Sequence, residues 1–288
     1  MDFVGANIVD SSFRSNNNDN QDFTDATISG RIRNNMSFIG SIFERTKFIQ
    51  NFYIYGADFR NTNFTGADLY ANRTGSIFEN GNFGSAQFNG AILERSTFTG
   101  SDFRAAQFNG AILERSNFTG SDLRNAIFDG ANLIGVTITN ANVSGVNFVD
   151  MNLSGATLSF SDFTGANLTN TNLTDATITG VNLTGAIFKV EIFTNANKNF
   201  TSVNFTGLNL IGTNFSNADL TGANFTGAFL TDANLTGATL IGADFSNANL
   251  TGARTNGTIF TGATLINAIF SVGIFTNANK NFTNVIFE

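Results

Sequence analysis

With no histidine and no cysteine in 288 residues, the side chains left for chemistry are carboxylates, amines, guanidinia and hydroxyls. That excludes a Ser-His-Asp triad, a thiolate nucleophile and a zinc site built on His or Cys. Carboxylates alone could hydrolyse a glycoside or hold calcium. The chain offers one spaced series of candidates: Asp102, Asp122, Asn142, Asp162, Asn182, Asn204, Asn224 and Asp244. Most acids in it are separated by Asn, which describes solvated positions better than a metal array, and either chemistry also needs a concave site. No catalysis, cofactor or metal site is therefore expected. A second candidate is the nonapeptide IFTNANKNF, identical at 192–200 and 274–282. Its Asn195, Asn197, Lys198, Asn277, Asn279 and Lys280 form a candidate partner contact, or else a corner that needs Asn in left-handed backbone. A third is the Thr-x-Thr pattern of Thr97, Thr99, Thr137, Thr139, Thr177 and Thr179, a candidate ordered surface that equally suits ordinary strands.

The elements that must position these residues follow from a period of five. From Phe78 to Phe193, and again from Phe200 to Phe275, every fifth residue is Phe, Leu, Ile or Val, except Thr255. Such a period winds round every face of an α-helix and flips faces in a straight strand. The chain must turn within each repeat, so that each five makes a short extended step and a corner. Residues 86–105 and 106–125 match at 17 of 20 positions, which sets four fives to a coil. The later duplication, 186–205 against 268–287, is offset by 82, or sixteen fives plus two inserted residues.

Runs such as ADLTGANFTGAFLTDANLTGATLIGADFSNANLTGA at 218–253 resemble the pentapeptide-repeat proteins. The resemblance covers nearly the whole chain. It implies an all-β fold, a right-handed quadrilateral β-helix whose core is filled by the central residue of each five and the small residue two before it. Counted from Phe3 to the last residue there are 57 fives. These make about 14 coils, a rod on the order of 65 Å long. One solenoid is expected over 1–288, less regular over 1–77 and regular over 78–288, with corner bulges at 194–199 and 276–281. Lys198 and Lys280 would then lie on one edge, roughly 19 Å apart.

Charge and composition narrow the partners. The net charge of −7 is spread thinly, with 15 acids and 11 bases in the first 150 residues and 7 and 4 in the rest. No basic stripe suits a phosphate backbone, so direct nucleic-acid binding is not expected. No apolar run is long enough to span a membrane, and the start MDFVGANIVDSSF lacks the form of a secretory signal, which makes the cytoplasm the default compartment. Glu94 and Glu114, Arg95 and Arg115, Asp102 and Asp122, and Arg104 and Arg124 should stack one coil apart as a mixed-sign lattice. The Asn-Phe-Thr and Asn-Leu-Thr triplets match a glycosylation pattern that the repeat itself generates.

The rhythm breaks in a few places. Asn18 and Arg33 stand where core residues are expected, so their stretches should bulge out or cap the first coils. Six residues separate Tyr53 from Phe59, YANRTGSI after Leu69 is irregular, and seven-residue steps follow Phe193 and Phe275. The breaks after Tyr53, Phe193 and Phe275 fall at one corner, and irregular backbone is where solenoids place recognition. The expected function is a non-enzymatic rigid scaffold or protein-interaction module of unidentified partner. One alternative is a DNA-mimicking topoisomerase (gyrase) binder, an activity of some members of the resembled family; they have acidic rods dimerised by a C-terminal helix, which a repeat running to Phe287 would exclude here. Ordered-water or ice binding by the Thr face is the other. Homodimers through the C-terminal coil, around Phe282 and Phe287, are a further expectation, because an uncovered ladder edge invites pairing.

Overall fold

A computed structural model describes residues 3–8, 17–31, 36–70, 75–193 and 198–271. Each five residues form one extended step and one corner. Around Phe103, Asp102 pairs in parallel with Asn82 on one side and Asp122 on the other, while Phe103 and Ala106 point inward and are buried. The corner closes as the Ala106 N–H donates to the Phe103 carbonyl at 2.9 Å, with Ala105 between them at φ 59°. This is a type II turn, whose third residue takes positive φ. Gly100 and Gly120 fill the equivalent place without steric cost, whereas Ala105 and Arg115 are held there by the ladder on both sides.

Because each step is so short, few strands extend beyond a single bridge. They are β1 (Asn7–Ile8), β2 (Thr27–Arg31), β3 (Lys47–Tyr55) and β4 (Ile77–Glu79) in one parallel sheet, and β5 (Asn249–Leu250) with β6 (Ile269–Phe270) in another. Among the described residues the only helical turn is a 3-10 segment at Val190–Phe193. The remaining steps pair as isolated parallel bridges that define four faces. The first carries Ile77, Thr97, Asn117, Thr137, Thr157 and Thr177, and the second Asn82, Asp102, Asp122 and Asn142. The third carries Gln87, Gln107 and Ile127, and the fourth Asp68, Ile92, Ile112 and Asn132. The second column is unbroken from Asn17 to Thr264 over thirteen rungs, roughly 58 Å at ladder spacing. The architecture is the all-β, right-handed quadrilateral β-helix.

The core is a set of ring columns. On the third face Phe3, Phe23, Phe43, Phe64, Phe88, Phe108, Phe128 and Phe148 stack in sequence, with centroids 4.6–5.9 Å apart. Phe38, Phe59, Phe83 and Phe103 do the same on the second. Each buried ring contributes roughly 2–3 kcal/mol relative to exposure. Several of the small inward residues that are Ser or Thr donate their hydroxyl to the previous coil: Ser121 to the Phe98 carbonyl at 2.7 Å and Thr171 to that of Phe148 at 2.8 Å. A buried hydroxyl is affordable there because it has an acceptor.

Two sequence expectations need correction. Asn18 neither bulges nor leaves the ladder: it holds the central place beside Asn17, its N–H donates to the Ser37 carbonyl, and its own carbonyl accepts from the Ser41 hydroxyl. It is only half-buried in an early coil, where an amide is tolerable. Arg33 lies outside the described residues. The central residue near 53 is Ile54, because Tyr53 pairs with Ile77 and Ile54 with Phe78. The extra residue therefore falls between Phe48 and Ile54, where Phe52 turns inward, its ring 4.7 Å from that of Phe48.

Candidate interaction surfaces

The described interruptions share one edge, between the fourth and first faces. Leu69 and Phe193 both close the fourth face, and the ladder resumes on the first at Phe78 and Phe200. The second column registers the insertions as longer offsets: Asp58 pairs with Asn82 and Asn182 with Asn204, where twenty residues is the rule. Of the six candidate contact residues in the repeated nonapeptide, Lys198 is described. Its Nζ donates to the Ser216 carbonyl at 2.9 Å, tying this edge to the next coil. Asn195, Asn197, Asn277, Asn279 and Lys280 lie outside the described residues, as does the break after Phe275.

On the second face the carboxylates do not stand as an open acidic stripe. Arg60, Arg104 and Arg124 fold back onto Asp58, Asp102 and Asp122, two residues earlier in the same step, at 2.8, 2.6 and 2.6 Å. The stacking of like charges is thus relieved within each coil as well as between coils, where Arg104 also reaches Asp122 at 3.8 Å. Each such surface pair is screened by solvent and contributes little to stability. On the fourth-face corner Arg95 and Arg115 lie 3.5 and 3.7 Å from their neighbours Glu94 and Glu114.

Side-chain hydrogen bonds from Arg104 and Arg124 hold the carboxyls of Asp102 and Asp122 below the ordinary carboxylate range, against the opposing effect of burial. A carboxyl whose folded pKa is depressed stabilises the fold above its unfolded pKa, about 3.9. That contribution disappears as pH falls through the lower folded value. The melting temperature is therefore expected to be insensitive to these groups from pH 7 to about 4 and to drop below that. The double variant Arg104→Gln, Arg124→Gln should lose part of the acid-side slope; an identical slope in scanning calorimetry would show that these pairs do not couple to folding.

The first face brings Thr97, Thr137 and Thr177 into one column, with Thr99, Thr139 and Thr179 on the other side of the central residues. The grid is not uniform. Asn117 interrupts it, and the Thr119 hydroxyl donates to Asn117 Oδ1 at 2.6 Å. The same bond recurs in many of the Asn-x-Thr and Asp-x-Thr triplets: Asn167, Asn204 and Asn249 each accept the backbone N–H and the hydroxyl of the Thr two residues on. The triplet is a local clamp on each step.

Phe160 was not singled out by the period of five, although it stands where other repeats have Gly or Asn. It occupies the corner after the first face at φ 59°, a conformation that is costly for a bulky residue, and 60 % of its surface is exposed. Its ring lies over Gly180, one coil on, where any Cβ would collide with it.

Surface depressions are open rather than enclosed. One is lined by Asn170, Asn172, Lys189, Glu191 and Ile192, another by Arg60, Asn82, Asp102 and Arg104. Among the described residues no group of three acidic, His or Cys side chains could hold a metal ion, and no helix is long and apolar enough to cross a membrane.

Comparison with known proteins agrees with this geometry. The sequence model for pentapeptide repeats matches in 8 copies, at residues 53–71, 152–189, 199–237, 230–271 and 243–279, and that for a pentapeptide repeat region matches residues 71–148. No curated protein matches the chain. Among solved structures it is similar to HetL, a pentapeptide repeat protein involved in heterocyst differentiation regulation from the cyanobacterium Nostoc sp. strain PCC 7120. The identity is 21% over 94% of this chain and 90% of that one, with a TM-score of 0.30. It is also similar to QnrB1, a plasmid-mediated fluoroquinolone resistance protein, at 17% identity over 91% and 93% of the two chains and a TM-score of 0.38. With five-residue steps, four parallel ladders and family matches over most of its length, the chain belongs to the pentapeptide-repeat family.

Proposed function

We propose that this chain is a rigid, non-catalytic scaffold that binds a protein partner along its interrupted edge. The observation that carries the reading is the filled core. Ring columns and small inward residues occupy the interior, and the apolar cavity between Leu158, Phe163, Leu173, Ile178 and Phe193 has a volume of about 10 Å³, at the lower limit for one water molecule. Such a rod offers flat faces and edges, which suit macromolecular contact rather than enclosure of a small substrate. The edge between the fourth and first faces supports the location, since it departs from the repeat while the others keep it. The proposed contact comprises Asn195, Asn197 and Lys198 with Asn277, Asn279 and Lys280. A DNA-mimicking role finds less support, because Arg60, Arg104 and Arg124 already occupy three of the carboxylates of the second face, Asp58, Asp102 and Asp122.

The test is affinity capture with the intact rod, followed by the double variant Lys198→Ser, Lys280→Ser. Loss of a specifically retained protein with little change in melting is the expected result. Recovery of the same protein by the variant would reject the edge as the contact, and no retained protein above a bare-matrix control would reject the scaffold reading.

A further inference from the structure

Ten large hydrophobic side chains are conspicuously exposed among the described residues, and five of them, Ile127, Ile187, Ile211, Phe229 and Ile269, lie on the third face. Single exposed hydrophobics are ordinary. Their arrangement here is not scattered. Asn209, Phe229, Asn249 and Ile269 are successive partners in one ladder column. Ile187 precedes Asn209 by the same offset of 22 that pairs Asn182 with Asn204 across the interruption. The column therefore reads Ile, Asn, Phe, Asn, Ile, a palindrome centred on Phe229. Ile187, Phe229 and Ile269 are 58, 50 and 59 % exposed, two coils or roughly 10 Å from one to the next.

A palindromic column suits a two-fold interface: the axis makes residue i of one copy meet j of the other and j meet i, and the palindrome sets a like residue opposite each one. We infer that the third face between Ile187 and Ser271 is the self-association surface of this protein, and that two copies pack face to face with their rods antiparallel. A two-fold axis lying in the interface, across the rods at Phe229, places Phe229 against its own copy. Ile187 then meets Ile269, and Asn209 meets Asn249, each pair twice. The residues on the other side of the central positions obey the same operation: Ile211 meets Thr251, and Thr231 meets itself. Lys189, the only charged side chain among the outward residues that flank the central positions of this face, meets Ser271 rather than another cation. Asp232 stands at the corner, on the wet rim of the contact, where its approach to its own copy is screened.

No other occupant uses that symmetry, and a parallel arrangement would lose it. Five coils make a patch roughly 20 Å tall. It is smaller than the ~800 Å² per partner of a standard interface, so the dimer should be reversible and concentration dependent. The face differs from the proposed partner edge, and the inference stands whether or not that edge binds another protein.

Sedimentation equilibrium over a wide concentration range tests the idea. The wild-type protein should shift from monomer to dimer, and Phe229→Asp, an exposed position, should weaken the dimer at least about tenfold through like charges at the axis. Its melting should be unchanged, as should the dimerisation of Ile241→Asp on the first face. Orientation is read with a short bismaleimide, since the native chain has no cysteine. Phe229→Cys should cross-link to itself, while Ile187→Cys should cross-link to Ile269→Cys in a mixture and poorly to itself. A wild type that stays monomeric throughout, a Phe229→Asp protein that dimerises normally, as association through the C-terminal coil would allow, or self-linking of Ile187→Cys as strong as its linking to Ile269→Cys would overturn the inference.

Discussion

Phe163→Asp is expected to destroy the cooperative fold of the middle of the rod. Phe163 is 1 % exposed and packs near Phe148, with ring centroids 5.7 Å apart, in a region otherwise lined by Leu158, Leu168, Leu173, Ile178 and Leu183. None of these side chains can accept or donate a hydrogen bond. Burying a carboxyl there, even protonated, costs several kcal/mol and removes the ring's own burial as well. The total is comparable with the stability of a whole domain, about 5–15 kcal/mol. A solenoid spreads the damage to the adjacent coils because each contacts only its neighbours. The expected result is loss of soluble protein, or a melting transition far below that of the wild type in circular dichroism. Asn152→Asp supplies the control: Asn152 is exposed and its Oδ1 accepts from Asn172 Nδ2 at 3.1 Å, a role a carboxylate keeps. That change should fall within about 0.5 kcal/mol. A soluble Phe163→Asp protein melting like the wild type would refute the inward placement.

The second large effect is expected at Phe103. Its ring stacks on Phe83 at 4.7 Å and meets Phe98 and Phe118 edge-on at 5.2 and 5.3 Å. Phe103→Ala leaves a hole that the ladders on either side cannot collapse into, since their spacing is fixed by backbone hydrogen bonds. The expected cost is about 3–5 kcal/mol. Phe103→Leu repeats what the chain does one coil later, where Leu123 holds the same place on the second face, and should cost less than about 1.5 kcal/mol. Denaturant unfolding of the two variants checks this. Equal costs would mean that refilling the space restores nothing, and would refute the hole as the cause of the loss.

Much of the fold was legible because the constraint is local and repeated. A residue at every fifth position, a small residue two before it and Gly or Asn two after it specify an inward side chain, a second inward side chain and a left-handed corner, as Phe103, Ala106 and Gly100 illustrate. The number of faces followed from the twenty-residue duplication. Where the pattern is ambiguous, local information ran out. In KFIQNFYIY any of Phe52, Tyr53 or Ile54 could be the central residue, and only the pairing of Ile54 with Phe78 decides it. Asn18 looked like a defect because its type is polar, yet its backbone groups are both satisfied within the ladder.

The candidate surfaces divide in the same way. The sequence by itself determined which residues share a face wherever the count of five is unbroken, so the columns of Thr97 and of Asp102 could be assembled in advance. It also placed the family and the filled core. Only the tertiary structure decided how the faces continue past an interruption, because that depends on which residues pair between coils and not on their spacing along the chain. The step from Asn182 to Asn204 sets an offset of 22 across the interruption, and by that offset Ile187 falls on the face of Asn209, Phe229 and Ile269. The structure likewise decided which charges are neutralised within a step, as in Asp102 with Arg104, and which large side chain stands outward in a strained corner, as Phe160 does. Those properties arise from distances between side chains, which a one-dimensional period does not contain.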